Sequence, residues 1–126
     1  MLRRLLLPLA LVGACLGASL AAAAAGNAAP AKSSGLVGES GPGYSIEVKL
    51  NGKDLKTIKA GTYRIKVEDK SSIHNFHLIG KGVNKATTIA FTGDRTWKVT
   101  FKPGKVTYQC DAHASMGMKG SFKVTS

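Results

Sequence analysis

From residue 44 onward the chain alternates between apolar and polar positions. In 45–50, Ile46, Val48 and Leu50 share one parity against Glu47 and Lys49; in 62–67, Tyr63, Ile65 and Val67 do the same against Arg64 and Lys66; in 95–101, Trp97, Val99 and Phe101 repeat the pattern. A period of two puts such residues on one face of a β-strand. The strands expected are 45–50, 55–59, 62–67, 72–79, 87–91, 95–101, 105–110 and 120–125, with Asn51-Gly52, Ala60-Gly61 and Pro103-Gly104 as turns. The segment 72–79 alternates least, since Ile73, Phe76, Leu78 and Ile79 fall on both faces, as in a strand covered on both sides. Seven or eight short strands joined by turns predict an all-β fold, an antiparallel Greek-key β-sandwich. Tyr108, two residues before Cys110, suits the tyrosine corner of such sandwiches, its hydroxyl bonded to upstream backbone.

The first part of the chain has a different pattern. Residues 1–4 form a positive head, 5–20 are almost wholly apolar, and 21–25 are all alanine, which predicts a signal peptide over 1–25 and an exported protein, periplasmic or extracellular. Cys15 lies in a stretch, Leu11-Val12-Gly13-Ala14-Cys15, that also resembles a lipoprotein cleavage box; membrane association is expected only if that cysteine is lipidated. Residues 26–43, rich in Ala, Gly, Ser and Pro, read as a linker, leaving 44–126 as the folded domain.

Loss of a signal peptide removes Cys15 and leaves Cys110 without an intramolecular partner. A small exported domain normally pairs its cysteines, so a single one suggests a partner chain, a reactive thiol or a metal. The formal net charge is +11, of which Arg3 and Arg4 supply two, and the lysines are spread singly through the strands. Nucleic-acid binders concentrate their basic residues in blocks with interleaved aromatics, which this chain lacks, so no nucleic acid is expected.

The chemistry concentrates in few residues. Cys110-Asp111-Ala112-His113 is followed by Met116 and Met118, and the other two histidines, His74 and His77, flank Asn75-Phe76. Thiolate and thioether sulfur with imidazole favours copper, and two histidine nitrogens with one cysteine sulfur and a weak axial thioether form a type 1 site. His74 and His77 lie three residues apart and so face opposite sides of an extended strand; only one reaches a given site. A Cys-His pair also serves nucleophilic catalysis, but no oxyanion device or third orienting group accompanies this one.

On these residues the segment from Tyr44 to the C terminus resembles the cupredoxins, and most closely their plastocyanin and amicyanin branch. Those proteins set a His-Asn pair on one strand and a Cys, His and Met loop before the last strand; His74-Asn75 and 110–118 match in order. The resemblance implies His74, Cys110, His113 and Met118 as metal ligands. His74 is preferred because Asn75 follows it, an asparagine that in the family ties the two ligand segments together. Met118 is preferred to Met116 because the family's methionine is followed by one residue, a glycine and the last strand, as in Lys119-Gly120-Ser121. It further implies one copper per chain cycling between Cu(I) and Cu(II), and a monomeric electron carrier rather than an enzyme. Redox proteins are the partners implied, acidic ones suiting the basic surface, with His113 near the surface beside Ala112, Ala114 and Met116. The same ligands suit Cu(I) delivery or storage, which stays open as the alternative. The chain departs from the family at Ile73 and Ala112, where prolines are usual.

Overall fold

The structure, a computed structural model, describes residues 32–126. The expected signal peptide, Cys15 included, lies outside the described residues. Two five-stranded sheets form a β-sandwich. The strands are β1 Lys32–Ser40, β2 Ile46–Leu50, β3 Lys53–Asp54, β4 Thr57–Lys59, β5 Gly61–Asp69, β6 His77–Gly80, β7 Val83–Ala86, β8 Gly93–Phe101, β9 Gly104–Gln109 and β10 Lys119–Thr125. One sheet runs β3-β2-β1-β5-β8 and the other β4-β10-β9-β6-β7. Both are mixed rather than purely antiparallel, because β1 pairs parallel with β5 and β4 parallel with β10.

Alternation sets the core as expected. Leu36, Val48, Ile65, Val67, Val99 and Phe101 from one sheet meet Ile58, Leu78, Val83, Val106, Phe122 and Val124 from the other. Non-directional burial of this kind supplies most of the drive to fold.

Four expectations need correction. The linker placed over 26–43 does not hold for its described part: Lys32–Ser40 is a central strand, paired with β2 on one side and β5 on the other. Its small residues disguised it. Gly38 is small because the Phe76 ring lies against it; a Cβ there would stand 2.4 Å from Phe76 Cζ, a close backbone approach that only glycine permits. Leu36 alone anchors the strand apolarly, at 1% exposure. The strand expected at 72–79 is only His77–Gly80, and 87–91 is not a strand, since β6 turns directly into Val83–Ala86. These changes give ten strands among the described residues rather than seven or eight. The Tyr108 hydroxyl does meet upstream backbone, at Val48, and Tyr63 makes a bond of the same kind, its hydroxyl donating to Lys59 O at 2.7 Å. The Tyr108 ring lies over Gly120, where a Cβ would meet it at 2.4 Å, and stacks on Phe76.

A chain of ion pairs crosses the outer face of the first sheet. Glu47 meets Lys49 at 2.5 Å, Lys49 meets Glu39 at 3.4 Å, Lys70 bridges Glu39 and Glu68, and Lys66 joins Glu68 at 2.7 Å to Asp94 at 2.9 Å. Hydrogen bonding from Lys70 is the largest influence on Glu39 and outweighs burial, so its carboxyl falls from 4.5 to about 2.

Two outcomes follow from this architecture. Leu36→Ala is expected to lower stability by about 3 kcal/mol in denaturant unfolding; an unchanged midpoint would return the segment to linker status. Glu39 titrates lower in the folded than in the unfolded chain. Its stabilising contribution is therefore complete above the ordinary carboxylate value and is lost as pH falls from about 5 towards about 2. Glu39→Gln is expected to flatten the decline of thermal midpoint over that window, and an unchanged slope would remove Glu39 from the cause.

Candidate metal centre

Two loops meet at one end of the sandwich. The first, between β5 and β6, carries His74, which sits ahead of the strand rather than within it. The second, between β9 and β10, carries Cys110, His113, Met116 and Met118. This second loop closes on itself through backbone bonds: Cys110 N donates to Met118 O at 2.9 Å, His113 N to Cys110 O at 3.1 Å and Met118 N to His113 O at 3.2 Å. Between them, Ala114–Met116 makes one 3-10 turn, ended by Gly117 at φ 96°, a left-handed conformation that favours glycine.

The loops bring three donors together. His74 Nδ1 and His113 Nδ1 stand 2.9 Å apart, with Cys110 Sγ 3.8 Å from the first and 3.5 Å from the second. Cys110 and His74 are fully buried, while His113 is partly open. His74 Nε2 is the single buried side-chain nitrogen or oxygen without a partner among the described residues. Leaving such a group unpaired costs about 1–3 kcal/mol, so the ring is placed for its Nδ1 at the expense of stability. Two imidazole nitrogens and a thiol aimed at one another satisfy a soft cation better than they satisfy each other. The residues therefore fit a copper-type ion.

Of the four expected ligands, the structure brings His74, Cys110 and His113 into one group. Met118 is buried and its backbone bonds both Cys110 and His113. Met116, by contrast, is 65% exposed on the 3-10 turn. His77 stays outside the group, on the outer face, where Nδ1 bonds Asp111 at 2.8 Å and Nε2 bonds Asn84 Oδ1 at 2.6 Å. Burial opposes the charged form of that ring, but the bonds to Asn84 and Asp111 outweigh it and raise its pKa.

Asn75 joins the two loops. Its Oδ1 accepts the Asp111 N–H at 2.8 Å, and its Nδ2 donates to Asp111 Oδ2 at 2.9 Å and to Thr87 O at 3.2 Å. Its own carbonyl accepts from the Ser40 hydroxyl at 3.1 Å. Below it, the Thr87 hydroxyl accepts from Phe76 N–H at 2.8 Å and donates to Asp69 Oδ2 at 2.7 Å. Burial pushes the Asp69 carboxyl up, against the lowering effect of Thr87.

Three residues of this end escape a sequence reading. Ser40 and Thr87 act through hydrogen bonds between distant segments, which no local pattern announces. Tyr44 stands edge-on to both rings, 5.2 Å from His74 and 5.0 Å from His113 between centroids, and is 59% exposed. Its position after Gly41-Pro42-Gly43, in a turn rather than a strand, was the available signal.

No protein-family model and no curated protein sequence matches the chain. Solved structures do. Reduced rusticyanin aligns with a TM-score of 0.52 at 20% identity, over 71% of this chain and 77% of that one. Rusticyanin from Thiobacillus ferrooxidans aligns at 0.50 and 20%, over 71% and 75%. Dithionite-reduced auracyanin from Roseiflexus castenholzii aligns at 0.52 and 20%, over 71% and 95%. Rusticyanin is described as a copper protein. The fold of this chain is that of the cupredoxins.

Proposed function

We propose that this chain is an exported, monomeric one-electron carrier that holds one copper on His74, Cys110, His113 and Met118. The observation that carries the proposal is the convergence of two imidazole nitrogens and one thiol, all within 4.8 Å, at one end of a cupredoxin sandwich. Copper bound there supplies a one-electron Cu(I)/Cu(II) couple. The chain's part is to hold the donors still, so that neither oxidation state reorganises the site. Cys110 and His74 are immobilised by burial, and the 110–118 loop by its own backbone bonds. Met118 would be the fourth residue to hold the copper, since it is buried and its backbone is fixed to both Cys110 and His113.

Docking of a redox partner is supported by the surface above the site. Three of the four exposed large hydrophobics among the described residues are Tyr44, Ile73 and Met116, at 59%, 52% and 65%. Tyr44 stands against the His113 ring, Met116 bonds the His113 carbonyl and Ile73 precedes His74 in the chain, with Ala112 also exposed. A partner meeting this end touches an apolar surface with His113 beneath it. Export rests on the signal-like residues 1–25.

Addition of Cu(II) to the metal-free protein is expected to give the intense visible thiolate-to-copper band and a compressed copper hyperfine splitting. Cys110→Ser abolishes both. His74→Ala destroys the band while His77→Ala keeps it; the reverse result would exchange the two histidines. Between the methionines, Met118→Leu shifts the reduction potential and Met116→Leu leaves it nearly unchanged. Asn75→Ala removes three side-chain hydrogen bonds worth about 1 kcal/mol each. Expected are a loss of about 2–3 kcal/mol in metal-free stability and a faster release of copper to a chelator.

A further inference from the structure

The two sheets differ sharply in charge. The strands β4, β6, β7, β9 and β10 contain Lys59, Lys85, Lys105, Lys119 and Lys123 and no acidic residue. The strands of the other sheet hold Glu39, Glu47, Asp54, Glu68, Asp69 and Asp94, six of the seven acidic residues of the chain. All the lysine-carboxylate ion pairs among the described residues join this second group of strands or Lys70 just beyond β5. The seventh acidic residue, Asp111, lies at the ligand end and is held by Gln109, Asn75 and His77.

Alternation turns the lysines outward. Val106, Phe122 and Val124 point into the core, so Lys105, Thr107 and Gln109 on β9 share the outer face with Lys119, Ser121 and Lys123 on β10. In register, Lys123 stands directly opposite Lys105, Ser121 opposite Thr107 and Lys119 opposite Gln109. Like charges placed directly across a strand pair destabilise a sheet. Lys105, Thr107, Gln109, Lys119, Gly120 and Ser121 line an open depression of about 450 Å³ with no acidic residue in its wall.

We infer that this sheet face docks on an anionic lipid surface. Charge complementarity requires an anionic occupant, and the composition selects among them. Protein interfaces favour aromatics, methionine and arginine and are poor in lysine. The outer face of β9 and β10 carries lysine, threonine, serine and glutamine alone. Lysine is a point charge on a long stem, without the fixed fork by which arginine selects a particular carboxylate. Such a row suits a headgroup layer whose charges rearrange beneath it. Bound on this face, the molecule lies on its side, with the His113 end directed along the bilayer.

The test is sedimentation of the full chain with vesicles of phosphatidylcholine, and with vesicles of an equal mixture of phosphatidylcholine and phosphatidylglycerol. It is run on copper-free and copper-treated protein, so its outcome is independent of the metal reading. Binding to the mixed vesicles alone, weakened by salt, is expected. The double variant Lys105→Ala with Lys123→Ala should bind about 25-fold more weakly, from about fivefold per lysine. Lys66→Ala with Lys98→Ala, on the opposite sheet and equal in net charge, should change binding less than about threefold by the same reasoning. Far-ultraviolet circular dichroism confirms that each variant is folded. Equal losses in the two double variants overturn the proposal in favour of diffuse attraction. Binding to both vesicle types alike assigns the attachment to the apolar N-terminal segment and overturns it too. Retention on an immobilised acidic polypeptide without vesicle binding reassigns the face to an acidic protein.

Discussion

The Asn75 carboxamide is the point at which two separate loops become one site. The β5–β6 loop and the 110–118 loop leave neighbouring strands whose ladder ends at His77 and Gln109, and beyond that rung no backbone pairing joins them. Asn75 bonds Asp111 through both ends of its amide, so the residue after His74 is locked to the residue after Cys110. The register between the two loops is thereby fixed within the reach of a hydrogen bond. Everything beneath serves to keep that amide still. Ser40 holds its carbonyl, Thr87 takes its second N–H, and buried Asp69 anchors Thr87 in turn. Hydrogen bonds contribute modestly one by one but are costly to leave unmade in the interior, so the network is fully formed or it fails together.

The polar network leaves the apolar core to set the sandwich and little else. Core residues here are interchangeable in kind, valine for isoleucine, as in other closely packed interiors. Glycines are not. Gly38 and Gly120 each lie against an aromatic ring with no room for a Cβ, and those rings, Phe76 and Tyr108, stack on one another below the ligand loops. The packing beneath the candidate centre thus depends on two residues that have no side chain.

Much of this was legible in the residues. Alternation located the inward faces of β2, β5 and β8 because each half-buried strand repeats with period two. The choice of His74 to join Cys110 and His113 followed from the resemblance that Asn75 carries; parity said only that one of His74 and His77 would do so, and His74 lies ahead of the strand on which that parity was counted. The rest was hidden for physical reasons. β1 carries one buried leucine and several small residues, since a central strand under an aromatic ring needs space more than bulk. The segment after Ala86 is rich in β-branched residues, yet Thr87 spends its side chain and backbone on Phe76 and so closes a loop rather than a ladder. Tyr44 was placed by a turn whose geometry only the fold reveals.

The placement of β1 at the centre of its sheet bears on how the protein comes into being. The earliest strand of the described residues is clasped between β2 and β5, and the loop with three of the four proposed ligands follows nine of the ten strands. The sheet closes only when an early segment meets a later one, and such non-local closures are the slow steps of folding. A chain emerging N-terminus first therefore has no partial version of the site to offer. His74 and Cys110 stand four strands apart in the chain, so the three donors converge only once those strands have paired, and the candidate centre is completed late in folding.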